Sequence, residues 1–219
     1  MAVTETPAGN PVPTPVPVLH EDARSGNCYK IRLTAALLGQ PLDRRQYDIL
    51  DGETRTPAFL STVNANGRIP VLEVEGRFLP ESNAACCYLA EGSALVPPGR
   101  FERADMLHWM FFEQYNHEPN VATLRFWLCA LGEERLSQLQ RAQIPGKRAA
   151  GEAALALMER HLATREWFVG ERASLADVAL YPYTSVCEEA GFRLDGLPHL
   201  RAWLGRVATL PGFPAWEKG

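Results

Sequence analysis

The 219-residue chain is 46% hydrophobic and 22% charged, enough apolar material for one large domain or for two modest ones sharing an interface. Its formal net charge of −4 argues against a general nucleic-acid footprint. No apolar run approaches the roughly 20 residues needed to span a bilayer, so a soluble protein with neither nucleic-acid nor membrane partners is expected. The five cysteines, Cys28, Cys86, Cys87, Cys129 and Cys187, form no C-x-x-C ligand set. An odd, scattered count suits reduced thiols in the cytoplasm better than a disulfide framework, and it implies no metal.

Residues 1–14, with Pro7, Pro11 and Pro13 among small polar residues, read as a disordered or extended tail lacking the basic end and apolar centre of a signal peptide. Val16, Val18 and Leu19 can form a short edge strand despite the neighbouring prolines. Arg24-Ser25-Gly26-Asn27-Cys28 then leads into a helix in which Ile31, Ala35 and Leu38 recur at helical spacing and Gly39 supplies the stop. Ser25 therefore sits on a turn at the helix mouth, where a hydroxyl serves either as a plain cap or as a donor to a thiolate aided by the positive helix end. Asn27 either satisfies local backbone groups or reaches a bound thiol through its amide. Cys28, without a cysteine at position 25, lacks a dithiol partner and reads as buried packing.

Residues 42–49 read as a second strand, followed by a loop and short helix carrying Arg55 and Phe59, which completes a parallel β-α-β step. Pro70 opens a third strand, Val71-Leu72-Glu73-Val74, at a bond where a cis peptide is expected, leaving the Val71 backbone to pair outside the sheet. Glu75-Gly76 suits a two-residue turn into an antiparallel fourth strand containing Phe78 and Leu79. Ser82 reads as the N-cap of the next helix, whose unpaired N–H groups can receive a carboxylate.

The run Arg68-Ile69-Pro70-Val71-Leu72 followed by Glu81-Ser82, together with the Ser25-Gly26-Asn27-Cys28-Tyr29-Lys30-Ile31-Arg32 turn, resembles the cytosolic glutathione transferase superfamily, in particular bacterial members with a serine or cysteine catalytic turn. The resemblance spans about residues 15–215. It implies an α/β thioredoxin-like domain followed by an all-helical domain, with Ser25 at the catalytic position. It also implies that the backbone of Ile69 pairs with the cysteinyl part of glutathione and that Glu81 and Ser82 hold the γ-glutamyl end. Arg68, and secondarily Arg55, are the candidates for the glycyl carboxylate because arginine matches a carboxylate fork.

The proline-rich stretch at 95–100 separates residues 15–94 from the helical 101–219. Met106, Trp109, Met110, Phe112 and Phe126 lie on helical stripes, and Pro119 is expected to kink or break them. Phe112, Tyr115 and Asn116 are the candidate wall for a hydrophobic substrate. His117 alone does not make a base. Ser174 and Asp177 form a capping box, resembling the one in the glutathione transferase helical domain, which assigns Asp177 to structure. The implied activity is transfer of glutathione, as co-substrate, to a small hydrophobic electrophile by a homodimer. Glutathione-dependent disulfide reduction or peroxide reduction, and a non-catalytic interaction protein on the same fold, remain alternatives.

Overall fold

The computed structural model describes residues 15–216; the expected tail at 1–14 lies outside the described residues. A four-stranded sheet in the order β2-β1-β3-β4 forms the N-terminal half. Strand β1 (Val18–Glu21) runs parallel to β2 (Asp43–Gln46) and antiparallel to β3 (Val71–Val74), which pairs antiparallel with β4 (Arg77–Pro80). β1 begins two residues later than Val16 and ends in His20 and Glu21, which its central position in the sheet buries. Glu21, fully buried, is answered there by Gln46 Nε2 at 2.7 Å and by Arg44. β2 is shorter than residues 42–49, since β1 offers it only four partners, Val18↔Asp43 through Glu21↔Gln46.

The β3–β4 turn falls at Glu75 and Gly76, with φ of 51° and 74°, the double positive φ that matches the twist of a two-residue hairpin. The Ile69–Pro70 bond is cis. Val71, however, is paired in register on both sides, with His20 and with Pro80, so the backbone left beyond the ladder belongs to Ile69 and not to Val71.

Helix α1 (Gly26–Leu37) packs between α3 (Ser82–Ala90) and α7 (Leu175–Ser185), which is why even its Lys30 and Thr34 are fully buried. A short α2 (Pro57–Thr62) turns Phe59 into the core. After residues 91–99 the chain is helical: α4 (Arg100–Phe112), a π turn at Glu113–His117, α5 (Glu118–Arg125), a second π turn at Phe126–Gly132, α6 (Gln138–Leu162), α7 and α8 (Pro198–Ala208). Pro119 falls in the first turn of α5, where its missing N–H costs no helical hydrogen bond, and the π turn before it absorbs the break. The core of this half is aromatic, with Phe168 against Trp109 at 4.7 Å and against Trp203 at 5.1 Å between ring centroids. The Ser174–Asp177 capping box is present, and Asp177 Oδ1 also accepts from Trp203 Nε1 at 2.9 Å.

Candidate active site between the two halves

Ser25 is the N-cap of α1: its Oγ accepts from Cys28 N at 3.4 Å, which orients the hydroxyl and leaves its proton to donate. Beside it stands Tyr183 of α7, whose hydroxyl accepts from Asn27 N at 3.3 Å and whose ring lies where a Cβ on Gly26 would sit, 2.7 Å from Cε1. Only glycine fits at 26. Burial and the negative charge of Glu118 push the Tyr183 phenol well above its ordinary range, so Tyr183 stays neutral.

Asn27 is held at both ends of its amide. Its Nδ2 donates to Glu118 Oε1 at 3.0 Å, and its Oδ1 faces the Ser82 hydroxyl at 3.5 Å, so opposite partners fix which way the amide points. Gln114 Nε2 donates to Glu118 Oε2 at 2.6 Å and to Glu113 Oε2 at 2.9 Å. Glu113 forms a fully buried ion pair with Lys30 at 2.8 Å. The polar line from Ser82 through Asn27 and Glu118 to Glu113 thus stitches α1 and α3 to the start of α5.

An open cavity of about 440 Å³ carries Ser25, Arg55, Gly67, Arg68 and Ile69 from the N-terminal half and Glu118, Ala122, Thr123, Phe126, Trp127 and Tyr183 from the helical half. Arg55 donates to Asn66 O at 3.1 Å and packs where a Cβ on Gly67 would be, while Asn64 Nδ2 holds the Arg68 carbonyl at 2.9 Å. Four of the sequence candidates, Ser25, Arg55, Arg68 and Ile69, therefore share one cavity, and Pro70 is buried directly behind Ile69.

Glu81 and Ser82 lie at the start of α3, linked to this cavity through Asn27. The cap position belongs to Glu81 and not to Ser82: β4 runs through Pro80, so a single residue must turn the chain, and Glu81 does so at φ 74° without a side-chain cap. A non-glycine residue at positive φ carries about 1–3 kcal/mol of strain, and such residues concentrate at functional sites. Ser82 is freed from capping and turns its hydroxyl toward Asn27.

The residues expected to form a substrate wall do not reach this cavity. Phe112 is buried against Trp109 at 5.2 Å, Tyr115 is 84% exposed, and Asn116 is exposed; none borders the cavity. From the helical half it is Ala122, Phe126 and Trp127, beyond the π turn and Pro119, that line the cavity. Glu118, Tyr183 and Trp127 escaped the sequence reading, since only the packing of α5 and α7 on α1 brings them to Ser25.

His117 is fully buried. Thr184 Oγ1 donates to Leu180 O at 2.7 Å and must accept from His117 Nε2 at 3.0 Å, which fixes the neutral Nε2–H tautomer. Burial and the neighbouring Lys30 charge lower its pKa to about 3, so it serves packing and not base chemistry. All five cysteines are free, and burial pushes the Cys28 thiol up to about 12, which leaves it protonated and inert at neutral pH. Among the described residues no cluster of three or more His, Cys, Asp or Glu is placed to hold a metal, and no helix is long and apolar enough to cross a membrane.

Comparison with known proteins agrees with this architecture. The family model "Glutathione S-transferase, N-terminal domain" matches residues 24–91, and "Glutathione S-transferase, C-terminal domain" matches residues 141–206. A maleylacetoacetate isomerase of Pseudomonas aeruginosa is 30% identical over 201 residues, 87% of this chain and 90% of the relative. The crystal structure of a possible glutathione S-transferase from Rhodopseudomonas palustris superposes with a TM-score of 0.87 at 44% identity, covering 93% of this chain and 90% of that one. A glutathione S-transferase from Pseudomonas fluorescens gives 0.86 at 43% identity over 93% and 100% of the two chains. With both halves matched and relatives aligned along nearly the whole length, the chain belongs to the cytosolic glutathione S-transferase superfamily.

Proposed function

We propose that this enzyme joins glutathione to a small hydrophobic electrophile: the glutathione thiolate attacks an electrophilic carbon, a sulfur–carbon bond forms, and the displaced group leaves with its electron pair. Ser25 Oγ donates to the sulfur, and Asn27, whose amide is oriented by Ser82 and Glu118, supplies a second donor. Ile69 pairs its backbone with the cysteinyl unit. Arg68, with Arg55 beside it, meets the glycyl carboxylate, and Glu81 with Ser82 meets the γ-glutamyl end. The electrophile lies on Phe126 and Trp127. The observation that carries this reading is the shared cavity, in which a hydroxyl at a helix mouth and two arginines from one half face an aromatic wall from the other.

The reading extends to a cytoplasmic enzyme divided at residues 95–100 and working as a homodimer. Phe101 and Phe111 on α4 are 78% and 68% exposed, and with Tyr88 of α3 they offer apolar area that a second copy would cover. Isomerisation of maleylacetoacetate is a second reading, favoured by the name of the Pseudomonas aeruginosa relative. The test is calorimetry with reduced glutathione, followed by turnover with an aryl halide, an organic peroxide, a mixed disulfide and maleylacetoacetate in parallel. Glutathione binding with aryl halide turnover is the expected result. Binding with turnover of one of the other substrates alone would replace conjugation by that reaction, and no binding at millimolar glutathione would remove the site.

A further inference from the structure

Among the described residues that line the cavity one is acidic, Glu118, beside the two arginines and the aromatic wall. Both Glu118 oxygens are held by amide NH2 groups, Oε1 by Asn27 at 3.0 Å and Oε2 by Gln114 at 2.6 Å. An NH2 group only donates, so these contacts fix the carboxylate's position without filling its acceptor sites, of which a carboxylate has about four. Arg55 and Arg68 come from the N-terminal half, where the glycyl carboxylate of glutathione is assigned, whereas Glu118 opens α5 at the base of the aromatic wall. An electrophile resting on Phe126 and Trp127 therefore meets a fixed negative group that a flexible surface glutamate would not provide.

We propose that Glu118 sets the charge selectivity of the second-substrate site, so that the preferred electrophiles are apolar molecules bearing a cationic or hydrogen-bond-donating group, and carboxylate-bearing electrophiles are disfavoured. This inference rests on the glutathione reading of the same cavity and deepens it. It also ranks conjugation of such molecules above maleylacetoacetate isomerisation, because that substrate is itself a carboxylate anion.

The test uses binding, which does not depend on which reaction is catalysed. Three S-benzylglutathiones that differ only at the para position, carrying trimethylammonium, hydrogen or carboxylate, are titrated calorimetrically into the full chain and into Glu118→Gln. In the parent the ammonium conjugate is expected to bind about tenfold more tightly than the carboxylate conjugate, with the gap narrowing in salt. In Glu118→Gln the gap is expected to fall to about twofold or less, since the ring wall is unchanged and the negative charge is gone. Glutamine retains an oxygen for Asn27, and a uniform loss of affinity cancels in the ratio. A carboxylate conjugate that binds the parent as tightly as the ammonium conjugate, or a gap that survives in Glu118→Gln, would overturn the inference while leaving the glutathione site standing. Failure of glutathione and all three conjugates to bind would remove both.

Discussion

Single residues near the site divide into those whose chemistry the sequence announces and those that only packing recruits. His117 illustrates a group whose environment reverses its ordinary behaviour. Burial holds its folded pKa at about 3 against 6.5 when exposed, so below 6.5 the unfolded chain binds a proton that the folded chain refuses. Stability must therefore fall as pH drops through the window from 6.5 toward about 3. Between pH 7.5 and 5.0 this single site is expected to cost about 2 kcal/mol. Urea unfolding at both pH values should show that loss in the parent and its absence in His117→Gln, which keeps a donor for Thr184; equal pH dependence in the two would contradict the buried neutral imidazole. Ser25, Arg68 and Ile69 were legible because they stand in or beside short motifs with local geometry. Glu118 and Tyr183 were not, since neither has a neighbour in sequence that points to Ser25. Phe112 and Tyr115, expected at a substrate wall, do not border the cavity, for the same reason: periodicity marks a face of a helix but does not say whether that face meets the core, the solvent or a cavity.

At the scale of elements, the caps carry the clearest link from sequence to stability. Asp177 accepts from Phe168 N, Ser174 N, Ser174 Oγ and Trp203 Nε1, at 3.2, 2.8, 3.0 and 2.9 Å, and so anchors α7, α8 and the loop before α7 at one carboxylate. Ser174→Ala removes one cap and should lower stability by about 1 kcal/mol. Asp177→Ala leaves several buried donors without an acceptor and should cost at least about 3 kcal/mol, read as a shift in denaturation midpoint. Equal effects of the two would mean that the carboxylate is a local cap and not a junction. The same S-x-x-Q logic marks Ser137 and Gln140, whose reciprocal bonds start α6. The register of α3 was less legible, because Ser82 has the composition of a cap and only the length of β4 moves that role to Glu81. Residues 213–216 carry no periodic signal at all. Yet Trp216 stacks on Tyr29 at 5.0 Å and donates to Ala23 O at 3.1 Å, fastening the end of the described chain to the turn that bears Ser25.

For the whole molecule, α1 is the shared element, with the sheet half on one side and α7 on the other, and the Lys30–Glu113 pair is its buried tie to the helical half. Lys30→Met should destabilise by about 3–5 kcal/mol because it strands the Glu113 charge, whereas the double variant Lys30→Met/Glu113→Leu should recover part of that loss. Additive losses in the cycle would show that the two charges are not coupled. The two-part architecture was legible from the hairpin motif, the proline-rich break and the helical remainder; the interface was not, since it joins apolar core residues and a few polar ones scattered over α1, α3, α5 and α7. The proposed site of the glutathione sulfur is Ser25, at the start of α1 and on the cavity between the halves, and the acidity of that sulfur is the quantity the proposal turns on. A free thiol titrates near about 8.5, and each unit of depression corresponds to roughly 1.4 kcal/mol of preferential thiolate stabilisation. One neutral hydrogen bond supplies about 1 kcal/mol, so the Ser25 hydroxyl must share the work with the α1 helix end and Asn27. The most direct measurement is an ultraviolet titration of the thiolate of bound glutathione in the parent and in Ser25→Ala. A pKa below that of the free thiol in the parent, raised by about one unit in the variant with glutathione affinity nearly intact, is the predicted result; identical pKa values in the two proteins would remove Ser25 from the mechanism.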